Sequence, residues 1–164
     1  MQRLCLSLLI ATLALPAAAL AGVRAAGDGT LVVRDAVGKV SIMRGSGTIF
    51  GHIDQGRLFF DDVNSDDTAL PQVFGAERTI PSFKDDSVMT YIGKNIRFRF
   101  FGGAYAVRLN GAGIDVSAVG HGTATFTGLG FPPDGDYGDF AKDGGKFVPI
   151  SAFPTTVTFG AAAP

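Results

Sequence analysis

Covalent cross-linking is the first thing this chain lacks. Its single cysteine, Cys5, stands near the start. No intrachain disulfide can form, so packing and strand pairing must hold any fold together. Tryptophan is absent, which removes the flat indole surfaces common in sugar platforms, although Tyr105 or Tyr137 could substitute. Histidine is scarce: only His52 and His121 occur, too few for a zinc site that needs three or four nitrogen or sulfur ligands. The only glutamate, Glu77, is followed at once by Arg78. An ion pair or turn contact suits it better than carboxylate-pair hydrolysis, which needs two acids held at a fixed gap. Ser117 lies close in sequence to Asp115 and His121, but the chain has no Gly-x-Ser-x-Gly elbow to expose a nucleophile. A strong excess of one charge is also missing. The formal net charge of −1 gives no reason to expect nucleic acid or an anionic membrane as partner.

Long apolar runs are confined to the beginning. Arg3 precedes an apolar run from Leu4 to about Leu15, and Ala19-Leu20-Ala21 then offers small residues where a signal peptidase reads. The stretch is short for a span of about 20 residues. Residues 1–21 are therefore expected to be an export signal, removed together with Cys5. The product is expected to be secreted or periplasmic, free of disulfides, and without a transmembrane segment after cleavage. Residues 22–29 follow as a flexible segment, 30–160 as a single β domain, and 161–164 as a tail.

Glycine is what the chain has in quantity, 23 residues of 164. Gly38, Gly47 and Gly56, and later Gly103, Gly113 and Gly122, fall at nearly even intervals. Strands of five or six residues fit between them, with glycine supplying the positive φ of tight turns. The first unit reads as strands at 30–34, 39–44, 48–53 and 57–61; the second as 96–101, 104–110, 114–119 and 123–127. Ile96, Phe98 and Phe100 alternate with Arg97 and Arg99, as do Tyr105, Val107 and Leu109 with Ala106 and Arg108. Segments 44–60 and 110–126 also align without gaps, pairing Gly45 with Gly111, Gly47 with Gly113 and Gly56 with Gly122. The expectation is an all-β fold, a single antiparallel barrel or two-sheet sandwich built from two duplicated four-strand meanders (about 30–61 and 96–127). A β-solenoid is the alternative.

The run Gly111-Ala-Gly-Ile-Asp-Val-Ser-Ala-Val-Gly120, together with the export signal, resembles small secreted all-β bacterial proteins to which no activity is attached. The resemblance implies a fold type and a compartment, and it carries over no functional residue.

Two clusters are candidate sites. Asp62, Asn64 and Asp66 alternate in an acidic loop, a spacing that lets three oxygens face one Ca²⁺. Position six of that motif is Asp67 rather than glycine, so a solvated loop is the plainer expectation, no cofactor is required, and Ca²⁺ is the one weak possibility. Arg97, Arg99 and Arg108 could form a cationic face for a cell-wall polymer or a protein partner. Tyr137 stands in the glycine-bearing acidic loop 134–139, a candidate binding lip. The functional expectation is a non-enzymatic secreted β domain with a binding or structural role. A small hydrolase with dispersed active-site residues is the alternative.

Overall fold

A computed structural model describes residues 26–63, 70–83, 88–130, 132 and 135–161. The expected export signal lies outside them. The described residues are all-β with no helix: β1 Gly29–Asp62, β2 Gln72–Pro81, β3 Val88–Gly128, β4 Asp139–Lys142, β5 Val148–Pro149 and β6 Thr155–Phe159. All pairings are antiparallel. The sheet runs β2-β3-β1-β4-β5, with β6 also on β3, and does not close into a barrel.

Its organisation departs from the expected short strands. β1 and β3 are continuous, and β1 uses both of its edges on β3. On one edge Val40 faces Leu109, Ile49 faces Phe100 and Leu58 faces Tyr91. On the other Val40 faces Phe126, Ile49 faces Ala118 and Leu58 faces Leu109. The two strands thus wind about each other as a coiled ribbon. This long-range antiparallel ladder is not the stacking of a solenoid.

The glycines expected to make hairpin turns sit inside these strands. Gly128, Gly38, Gly111, Gly56 and Gly93 are successive cross-strand neighbours, and so are Gly29, Gly120 and Gly47. Each row runs across the sheet and marks a crease. Gly47 has φ +112° and Gly120 φ +139°, conformations open to glycine and costly for other residues. A Cβ on Gly47 would collide with the Val119 carbonyl oxygen, and one on Gly120 with that of Ser46. Burial switches phase across the creases of β1. Leu31 and Val33 point inward, then Val40 and Ile42, then Ile49 and Ile53, then Leu58 and Phe60. A side-chain period of two cannot pass from odd to even positions without such an irregularity.

The creases fold one sheet into two stacked layers. The first holds 29–38 and 47–56 of β1, 93–102 and 111–120 of β3, the start of β2, and β4. The second holds the alternate passages, the rest of β2, and β6. Their inner faces share one core, in which Phe60 meets Phe100 with ring centroids 5.2 Å apart and Phe126 stacks on Phe140 at 4.3 Å. This is the sandwich form of the expected fold. Segments 44–60 and 110–126 lie side by side antiparallel, Gly56 against Gly111 and Ser46 against His121.

Candidate functional site

The outer face of the first layer carries the site. Ser117 pairs with both Val32 and Phe50, Phe50 with Arg99, and Arg99 with Gln72, forming one row across the strands. The next row runs Asp115, His52, Arg97, Phe74. Arg34 extends it, because the preceding Val33 pairs with Val116. All of these except Gln72 line a shallow groove of about 630 Å³. Alternation puts them outward: each lies one residue from a core partner such as Val33, Ile49, Ile53, Phe98 or Val116.

Phenylalanine is unusually exposed here. Phe50 is 43%, Phe74 58% and Phe101 49% accessible, on a sheet whose other face is saturated with apolar contacts. Phe50 and Phe101 meet edge to face, 5.4 Å apart at 84°. Perpendicular rings do not form the coplanar platform on which successive sugar rings stack. Arg99 donates from Nε to Gln72 Oε1 at 2.7 Å and lies 5.7 Å from the Phe101 ring centre. Arg34 sits 3.9 Å above the Phe147 ring. Arg97 has no ion-pair or hydrogen-bond partner among the described residues.

His52 is held between two exposed carboxylates, its Nε2 3.5 Å from Asp54 and its Nδ1 3.8 Å from Asp115. Both ring nitrogens face acids, so neither is aimed at Ser117 as a general base. Asp115 also accepts the Asp35 backbone N–H at 2.9 Å, which fixes its position at the irregularity beyond Val33. Among the described residues, no group of three or more histidines, cysteines or acids is arranged to hold a metal ion.

Arg97 and Arg99 lie together in the groove. Arg108 does not join them. It pairs with Ser41 and Phe59 in the second layer and lies 5.0 Å from the Phe59 ring centre. Tyr137 is a structural element of its loop. Its ring packs beneath Gly128, its hydroxyl donates to the Gly130 carbonyl at 3.3 Å, and its own carbonyl accepts the Val37 N–H at 3.1 Å. Of the acidic trio, Asp62 is buried and its backbone pairs with Tyr105, while Asn64 and Asp66 lie outside the described residues. Sequence reasoning missed Phe50, Phe74, Phe101, Arg34 and His52 as one face, because they come from separate passages of three strands. The single legible signal was Phe101 breaking the alternation of 96–100.

No protein-family model, curated protein or solved structure matches this chain. No helix among the described residues is long and apolar enough to cross a membrane.

Proposed function

We propose that this chain is an exported, non-enzymatic binding or structural domain that works through the outer face of its first layer. The carrying observation is the cluster of exposed Phe50, Phe74 and Phe101 among Arg34, Arg97 and Arg99. Phenylalanine and arginine are among the residues enriched at protein interfaces. The core is filled by side chains, which favours surface recognition over an enclosed small-molecule site. The pairing of His52 with acids on both sides argues against the hydrolase alternative.

Hydroxyl-radical footprinting of the protein in its native extract, compared with the dilute purified chain, tests this. Phe50, Phe74 and Phe101 should become protected in the extract, while exposed Phe153 at the other end of the chain keeps its reactivity. Equal reactivity of the three rings in both samples would show that nothing covers this face.

A further inference from the structure

We infer that the occupant of this face is a second copy of the same chain, packed sheet against sheet about a two-fold axis parallel to the 47–56 passage. The inference rests on the binding face proposed above and deepens it. Its ground is the order of the groove residues across the strands. Along one row stand Arg34, Asp115, His52, Arg97 and Phe74. A two-fold axis along the central strand reverses this row on the facing copy. Arg97 then meets the partner copy's Asp115, and Asp115 meets its Arg97. Arg34 meets Phe74, a cation over an aromatic ring, and Phe74 meets Arg34. His52 stays at the axis.

The adjacent row, Val32, Ser117, Phe50, Arg99 and Gln72, behaves in the same way. Phe50 lands on its own counterpart, and Arg99 faces the Ser117 hydroxyl. No cation is placed against a cation. In these two rows the pairs are complementary, as an isologous interface requires; Asp54, on the central passage itself, meets its own counterpart across the axis, beside His52. The face has the size of a small interface. Four passages of about eight residues, with the four residues of β4 and the first three of β2, at about 4.8 Å between strands and about 3.3 Å per residue span roughly 620 Å². Specific interfaces begin at about 600 Å² from each partner, so the face lies at the lower end of the range.

Charge exchange between copies provides the test. Arg97→Asp and Asp115→Arg, each made singly in the full chain, should both weaken self-association at least about tenfold in sedimentation velocity, because each sets like charges against each other twice. Mixing the two variants should restore a dimer, since a heterodimer contains both opposite-charge pairs. Circular dichroism checks that each variant folds. Should Asp115→Arg fail to fold, Phe50→Cys in a Cys5→Ser background is the second measurement, and it should give an oxidised dimer that reductant dissolves. A wild-type chain that stays monomeric at concentrations up to about 100 μM, or variants whose mixture stays monomeric, overturns the inference. So does a dimer unaffected by either charge change. Protection of the three rings in native extract, found alongside a monomeric purified chain, would leave the binding face standing and remove only its self-pairing.

Discussion

Tyr105 is the residue at which this core departs from the rule that buried polar atoms find partners. Its side chain is fully buried against Phe60 and Phe100, and its hydroxyl has no hydrogen-bond partner among the described residues. Gly45 makes the space: a Cβ there would run into the Tyr105 ring. An unpaired buried hydroxyl loses its hydration without compensation. Tyr105→Phe is therefore expected to leave stability unchanged or raise it by up to about 1 kcal/mol in urea unfolding. Burial also pushes the Tyr105 phenol well above its ordinary pKa of 10.0. Above that pH the unfolded chain ionises this group while the folded chain keeps it protonated. The folded state then binds more protons, and stability falls as pH rises. Unfolding midpoints measured from pH 9 to pH 11 should fall more steeply for the wild type than for Tyr105→Phe. Parallel curves would contradict this account.

At the scale of the element, glycine spacing was legible and its meaning was not. Turns and creases both call for glycine every nine or so positions, turns for its positive φ and creases also for the close approach of backbones at positions such as Gly111, so periodicity alone cannot separate them. The hint against hairpins is that Gly38, Gly47 and Gly56 stand singly, without the Asn-Gly or Asp-Gly pairs of two-residue turns. On β3 the evenly spaced set chosen from sequence, Gly103, Gly113 and Gly122, is offset from the residues that meet β1 glycines, which are Gly93, Gly111, Gly120 and Gly128. The alternation in 96–100 and 105–109 correctly identified the inward residues, because parity within one passage needs no knowledge of where the strand ends. Replacing a crease glycine should be costly. Gly47→Ala and Gly120→Ala are each expected to lose about 2–3 kcal/mol, with the double variant losing less than the sum because the two are cross-strand neighbours. Gly144→Ala, at φ +72° with nothing within 4 Å of the added carbon, should lose only about 1 kcal/mol. Equal losses at all three positions would mean that backbone angle alone, and not the close crossing of strands, fixes the glycine rows.

For the molecule as a whole, the winding of β1 and β3 makes neither strand independent. A four-strand meander could form contacts within itself, whereas β1 finds both hydrogen-bonding partners 30 or more residues away along most of its length. Such topologies pay for loop closure before long-range contacts return anything, and they fold slowly. A peptide of residues 26–81 should therefore show no β signal by circular dichroism, and adding 88–161 should bring the sheet back. An independently folded 26–81 peptide would contradict the coiled ribbon. The binding face was illegible for the same reason. His52, Arg97 and Asp115 share one patch only after the ribbon has wound, and no window along the chain contains all three.

The ribbon also returns to where it began. The Ala161 N–H donates to the Gly27 carbonyl at 2.7 Å, and Asp143 Oδ1 accepts from both Thr30 at 3.2 Å and Gly160 at 3.1 Å. The two ends of the described ribbon, at Gly27 and Ala161, are therefore joined at a single corner. A tether joined at either end would leave from that same pole, so mechanical load between the two attachments would pass through this small clasp and spare the ladder behind it.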